Sequence, residues 1–411
     1  MDAVSHRAAT RWLTFLMFTM FAMTTDSVGV IIPQIINEFG LSMTAAGAFH
    51  YTTMTAIALG GVTLGHLADT AGRKKTIILG LAVFAIASSL FAVASSFALF
   101  LLLLAVSGAA IGIFKTGALA LIGDISASTT EHTSTMNMVE GFFGVGAIIG
   151  PAIVIALIGR GVSWKWLYVI AAILCVLLIA LALCVEYPRS TKPVEDAADL
   201  GQTAGMMKDP FALGFSLGAF LYVSVEAAVY VWMPTLLADY SGSLAVVAAY
   251  AISVFFVLRA GGRFLGAWML ARFDWTAVTA LVSFAILLCF AGTVAGGAGV
   301  AVWLLPLSGL FMSVVYPTLN SKGISCFPKH QHGAVAGVIL FFTCAGAAMG
   351  PLAMGVVSDL FGHPRYGFMM ATGFACVLHG GLLLNWIYQP ARKRLQSLDL
   401  SEYAEPGDSA G

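Results

Sequence analysis

The sequence predicts an all-α membrane protein of twelve transmembrane helices, built as two six-helix pseudo-repeats. Three observations carry this expectation. Of 411 residues, 59% are hydrophobic and only 10% charged, with a mean hydropathy of +0.93; soluble domains carry roughly 25% charged residues. The apolar residues fall in runs of about 20 or more, the length a helix needs to cross hydrocarbon and too long for barrel strands. The second half of the chain repeats the polar punctuation of the first.

The runs lie at 12–34, 44–67, 76–95, 98–122, 135–159, 165–186, 210–238, 244–270, 276–296, 301–321, 333–357 and 366–388. The longest hydrophilic break, EYPRSTKPVEDAADLGQTAGMMKDP, begins at Glu186, after the sixth run. It divides the chain into an N-terminal half 1–186, a cytoplasmic linker 187–209, a C-terminal half 210–390 and a cytoplasmic tail 391–411. The segment MDAVSHRAATR leads straight into the first run without a short apolar core or a small-residue cleavage site, so the first helix is expected to stay.

Lys and Arg near membrane ends are retained in the cytoplasm. With both termini inside, Arg7, Arg11, Arg73, Lys74, Lys75, Arg189, Lys192, Lys208, Arg272, Lys329, Arg392, Lys393 and Arg394 are cytoplasmic, while Arg160, Lys165 and Arg365 lie outside. This asymmetry sets the orientation; the short chain without an extended loop suggests the inner (plasma) membrane of a bacterium.

A shift of 200 residues lays Gly146-Ala-Ile-Ile-Gly150-Pro151 on Gly346-Ala-Ala-Met-Gly350-Pro351, and Asp26 on Glu226. Pro33 then falls one residue from Pro234, and Gly60-Gly61 one residue from Gly261-Gly262. Matched small-residue stripes, acids and prolines argue for a duplicated bundle; parallel repeats of this kind are one transporter architecture.

The loop after the second run reads Gly65-His66-Leu67-Ala68-Asp69-Thr70-Ala71-Gly72-Arg73-Lys74-Lys75. It resembles the major facilitator superfamily signature G-x-L-x-D-x-x-G-R-[KR]. The resemblance implies a conformational latch of Gly65, Asp69, Gly72 and Arg73, with close helix approach at Gly65, a tight turn at Gly72 and Asp69 capping a helix or pairing with an Arg. In the second half Leu270 replaces the acid, so the latch is asymmetric.

Two further segments resemble the fucose and glucose/galactose proton symporters within that superfamily. Phe220-Leu-Tyr-Val-Ser-Val-Glu226-Ala-Ala-Val-Tyr-Val-Trp232 is similar to F-x-Y-V-G-x-E-x-x-x-G-x-W, with Ser224 and Tyr230 in place of glycines. Asn137-Met-Val-Glu140-Gly-Phe-Phe143-Gly-Val-Gly-Ala-Ile-Ile-Gly-Pro151 is similar to N-x-x-H/Q-x-x-F/N-G-x-G-A-x-x-G-P, with Glu140 where a neutral residue is usual.

Ionisable residues deep in the spans are the main functional signal, since a charge at the bilayer centre costs at least ~2.5 kcal/mol. At 1.5 Å rise per residue, Asp26 and Glu226 both fall near the midplane. An acid there is kept protonated by its apolar surroundings and releases the proton when water reaches it. Asp26, Glu226 and Glu140 are the candidate proton-coupling groups, with a structural role as the alternative: hydrogen bonding within the bundle for Asp26 and Glu226, a static salt bridge for Glu140. Lys115 and Glu140 have similar depths, so either they pair in a static bridge or a solute or proton competes for the pair. Lys115 facing the cavity alone would instead suit an anionic substrate.

Lys115, Asn137, Tyr222, Trp232, Arg259, Tyr316 and Asn320 are the candidate substrate-binding residues, because aromatic faces with amide and cationic donors suit a compact polar molecule. Trp232 also fits an interfacial anchor, Arg259 a snorkelling side chain, and Tyr316-Pro317 a helix break.

The expected function is a secondary transporter that moves a small polar solute, a sugar or related nutrient, together with protons by alternating access. The alternative is a proton-driven exporter of a small metabolite, drug or metallophore. There is no G-x-x-x-x-G-K-[ST] loop for a nucleotide, and neither H-E-x-x-H nor G-x-S-x-G for an intramembrane enzyme. The six cysteines lack C-x-x-C spacing and are assigned to packing. No cofactor, metal or catalytic residue is expected, and with zero formal net charge no nucleic-acid partner. The partners are the solute, protons and the bilayer, around a monomer.

Overall fold

The computed structural model describes residues 3–64, 67–125, 129–187, 205–328 and 332–398, and among them it is helical throughout, without strands. Among the described residues, ten helical segments are long and apolar enough to cross a membrane. The runs at 44–67 and 76–95 complete the set of twelve as α3 (Met43–Leu64) and α5 (Arg73–Leu90). These two are less apolar for visible reasons: α5 opens on Arg73-Lys74-Lys75, and α3 carries Thr44, His50, Tyr51, Thr52, Thr53, Thr55 and Thr63. Large side chains such as Leu102, Ile173, Leu181, Phe264 and Leu360 are exposed, the inversion of a soluble surface that a lipid solvent selects.

The chain groups into two compact units, Met1–Glu195 with Tyr230–Val257, and Asp196–Val229 with Leu258–Gly411. The first unit contains α1 (Ala3–Thr25), α2 (Val28–Phe39), α3, the single turn α4 (Leu67–Thr70), α5, α6 (Phe97–Ile125), α7 (Thr129–Gly159) and α8 (Trp166–Cys184). Helix α1 packs on α7 and α8, while α6 packs on α3 and α5. The core is aromatic: Phe21 meets Phe84 edge-on at 4.8 Å and Phe114 at 4.6 Å, and Phe91 stacks on Tyr168 at 3.9 Å between centroids.

The second unit holds α9 (Pro210–Ala227). Beyond α9 come the π-helical turn Ala228–Trp232, α10 (Met233–Leu237), α11 (Ala245–Ala249) and α12 (Ala251–Leu270), and the chain passes into the first unit at Tyr230 and back at Leu258. The second unit continues through α13 (Trp275–Gly296), α14 (Ala298–Ser325), α15 (His332–Phe361), α16 (Pro364–Tyr388) and the short α17 (Arg392–Leu398). Here α9 packs chiefly on α15, and α13 on α14 and α16.

The internal repeat has a packing basis. A Cβ on Gly146 would run into the carbonyl of Thr19 and one on Gly150 into that of Met23, so α7 lies against the bare backbone of α1. In the second unit a Cβ on Gly346 would come within 2.5 Å of the Phe220 carbonyl, and one on Gly350 within 2.7 Å of the Ser224 backbone. The same small-residue stripe thus seats the fifth helix of each half on the first.

Candidate functional site

In the first unit the polar site begins where the first span breaks. Thr24, Thr25 and Ser27 hydroxyls bond back to the carbonyls of Phe21 and Met23, the last at 2.6 Å, a habit that bends helices. Helix α1 stops at Thr25, residues 26–27 form a turn, and α2 restarts with Val30 and Ile31 amides on the Ser27 carbonyl. Asp26 sits in that turn, 9% exposed, and its Oδ2 accepts from the Thr25 hydroxyl at 2.8 Å. A broken helix deep in a bundle is tolerated where polar groups or a cavity take up the freed backbone.

Around the break, His50 is buried on α3 and meets the Tyr230 ring edge-on at 5.6 Å. Trp232 is buried too, and the missing side chain of Gly47 makes room for it. Lys115 on α6 lies over the Phe143 ring, 5.4 Å from its centroid. Phe143 is one helical turn from Glu140, whose side chain is exposed. Asn137 belongs to α7, but its side chain lies outside the described residues.

At the start of α5, Gly72 adopts φ +89°, a conformation only glycine takes without strain, and hands the chain to that helix. Arg73 then donates from Nε to Asp124 Oδ2 at 3.0 Å, with both side chains largely buried. Lys74 caps the C-terminal end of α8 through the carbonyls of Leu183 and Val185. Gly65 and the side chain of Asp69 lie outside the described residues. Asp124 was not singled out by sequence reasoning, because nothing local ties it to an arginine 51 residues earlier.

The second unit holds five sequence-selected residues. Glu226 on α9 is 6% exposed, and its Oε1 lies 2.8 Å from Arg259 Nη2 on α12. Tyr222, one turn back, places its hydroxyl 2.9 Å from the same oxygen and 2.8 Å from the carbonyl of Met312 on α14. Tyr316 stacks near Tyr222 at 6.2 Å, and Asn320 lies one turn further along α14. Arg263, one turn beyond Arg259, extends the cationic face of α12 and was missed. Two residues after Glu226 the helix widens into the π turn, so the acids at 26 and 226 each sit beside an irregular stretch of backbone.

A phenol has one hydrogen. With Glu226 ionised, that hydrogen turns to Oε1; with Glu226 protonated, the acid donates to Tyr222, which then donates to the Met312 carbonyl. The geometry accommodates both states with the heavy atoms in place.

Outside the spans, Asp209 caps α9 through the amides of Phe211 and Ala212 at 2.8 and 3.2 Å, and Arg394 of α17 bonds its other oxygen at 3.1 Å. Arg394 also donates to the Cys326 carbonyl at 2.7 Å and lies over the rings of Phe211 and Phe327. Burial pushes the Asp209 carboxyl up, but the two amides and the guanidinium outweigh it and hold the group below the usual range.

Compared with known proteins, the chain is 24% identical over 384 residues to the glucose/galactose transporter of Brucella abortus (strain 9-941), covering 90% of this chain and 92% of that one. It is also 24% identical over 399 residues to the L-fucose-proton symporter of Escherichia coli (strain K12), covering 88% and 90%. The crystal structure of the transporter FucP superposes with a TM-score of 0.64 at 21% identity, over 93% of this chain and 98% of that one. Residues 14–351 match the model of the Major Facilitator Superfamily. With helices that cross a membrane and transporters, not enzymes, as its relatives, the chain is an integral membrane transporter and belongs to the Major Facilitator Superfamily.

Proposed function

We propose that the protein moves a small polar solute of the sugar class together with protons, by alternating access between halves 1–186 and 210–390. It does so as a monomer in a bacterial inner membrane, with the linker 187–209, the tail 391–411 and both termini in the cytoplasm. The observation that carries the reading is the Glu226 carboxylate oxygen, reached by both Arg259 and Tyr222, with Tyr222 also reaching the Met312 carbonyl. Proton uptake by Glu226 would loosen Arg259 and turn the Tyr222 hydroxyl, so the charge of the acid changes which groups are offered to a solute hydroxyl. Asp26 at the break of the first span is the matching acid of the other half. The names of the two relatives, a glucose/galactose transporter and an L-fucose-proton symporter, support a sugar as the solute.

In this reading Glu226, Asp26 and Glu140 carry the proton. Tyr222, Arg259, Tyr316, Asn320, Lys115, Asn137 and Trp232 bind the solute, and Gly65, Asp69, Gly72 and Arg73 form the latch. The test is uptake of D-glucose, D-galactose and L-fucose into proteoliposomes, with and without an imposed pH gradient. External alkalinisation accompanying sugar entry is expected. Proton movement opposite to the solute would replace symport by export.

A further inference from the structure

The first unit contains a second polar centre that the coupling acids do not use directly. A cavity of about 10 Å³ lies behind the break in the first span, the space that one water needs by this measure. It is lined by Thr24, Thr25, His50, Thr53, Ser107 and Tyr168 with apolar neighbours, and of its lining residues all but Met54 are buried. Ser107, on α6 and 2% exposed, directs into it a hydroxyl that has no hydrogen-bond partner among the described residues. Thr24 and Thr53 donate their own hydrogens to carbonyls of Phe21 and Phe49, which leaves oxygen lone pairs to accept from a guest. Thr25 has one hydroxyl hydrogen for two acceptors, the Phe21 carbonyl at 3.2 Å and Asp26 Oδ2 at 2.8 Å; in the shorter bond the hydrogen faces the acid and the oxygen accepts on the cavity side.

We infer that this cavity binds one internal water that joins the Asp26 carboxylate, through the Thr25 hydroxyl, to the imidazole of His50, making His50 a second proton-holding group for Asp26. The inference rests on the reading of Asp26 as a coupling acid and adds the route by which its proton arrives. The transfer balances. Protonated His50 gives a ring hydrogen to the water, the water passes one of its own to Thr25 Oγ1, and the original Thr25 hydrogen moves to Asp26 Oδ2. Neutral imidazole and neutral carboxylic acid replace the ion pair, and water and threonine are regenerated.

Three titratable groups are placed around His50 by the cavity lining, the ring contact and the Thr25 bond. Tyr168 of α8 lines the same cavity, Tyr230 lies edge-on at 5.6 Å, and Asp26 connects through Thr25. The lining contributed by α5 and α6 is Phe84, Leu104, Ile111 and the Ser107 hydroxyl, with no charge among them.

The experiment uses infrared difference spectra of the purified full-length chain in liposomes, titrated from acid to neutral pH, with water itself as the probe. Asp26→Asn identifies the carboxyl band and His50→Gln the imidazole band. An O–H stretching band that moves in heavy-oxygen water is expected to change as the carboxyl titrates, and to vanish in Ser107→Val, which fills the cavity. The carboxyl titration curve is expected to differ between the native chain and His50→Gln, as for two coupled sites. Thermal unfolding confirms that each variant is folded, and Thr53→Val replaces Ser107→Val if that one is not. A carboxyl band that titrates in the native chain but ignores both substitutions overturns the relay and leaves Asp26 as a coupling acid. The absence of any titrating band lost in Asp26→Asn overturns the relay together with the role of Asp26.

Discussion

Arg259 and Glu226 form an ion pair 2.8 Å across within the second unit, with the glutamate side chain 8% exposed and the arginine side chain 24%. The carboxylate therefore depends on its partner far more than a surface pair would. Arg259→Met should lower unfolding stability by about 3 kcal/mol, because it strands a buried acid. The double variant Glu226→Gln with Arg259→Met should recover most of that loss, since an unpaired charge and not the missing bridge is the cost. Thermal unfolding in detergent measures both; a double variant no more stable than the single one would show that Arg259 acts through packing.

Asp26→Asn keeps the size of the side chain and an acceptor for the Thr25 hydroxyl. Structure should therefore survive while proton binding is lost. Equilibrium exchange of labelled sugar should stay within about twofold, whereas accumulation driven by a pH gradient should fall by about tenfold or more, the equivalent of roughly 1.4 kcal/mol of lost coupling. Unchanged accumulation would make Asp26 a structural hydrogen-bonding residue of the helix break.

Much of this was legible in the chain because it is written in local patterns. The stripe Gly146-x-x-x-Gly150 and its copy at 346–350 can be read from spacing, and both copies meet bare backbone of the helix they pack on. Asp26 and Glu226 stand out as charges in apolar runs, and Tyr222 and Arg259 were selected for chemistry that the second unit brings together. Partners set by tertiary contact were not legible. Asp124 is 51 residues from Arg73, and Asp209 is 185 from Arg394, so no periodicity links them. The π turn after Glu226 and the cavity beside Thr25 leave no compositional trace either, because both arise from how helices fit rather than from which residues recur.

Close approach of α7 to α1 gives a stability prediction with an internal control. Gly150→Ala places a methyl group against the Met23 carbonyl and 2.6 Å from Ser27 Oγ, both backbone or tightly bonded positions with little room to yield. It should cost about 1–3 kcal/mol, as overpacking does. Gly144→Ala on the same helix meets nothing within 4 Å and should be neutral or slightly stabilising through helix propensity. Unfolding midpoints compare them directly. Equal effects at the two positions would mean that the stripe does not set the distance between α1 and α7.

The anchoring of α17 should depend on pH through Asp209. Its folded-state carboxyl is held below the ordinary aspartate value of about 3.9. The stability this supplies is therefore complete above the unfolded value and disappears as pH falls through the folded one. Asp209→Asn isolates the charge, because asparagine still caps α9 through the amides of Phe211 and Ala212. With Arg394 about one-third exposed, the pair contributes about 1 kcal/mol or less, which amounts to no more than about a fivefold change in the opening of the tail helix. Hydrogen exchange of the amides of Arg392–Leu398, corrected for intrinsic rate, should show that loss of protection in Asp209→Asn at neutral pH, and in the native chain only on acidification. Protection that survives both changes would assign the docking of α17 to the remaining contacts of Arg394, the Cys326 carbonyl and the rings of Phe211 and Phe327.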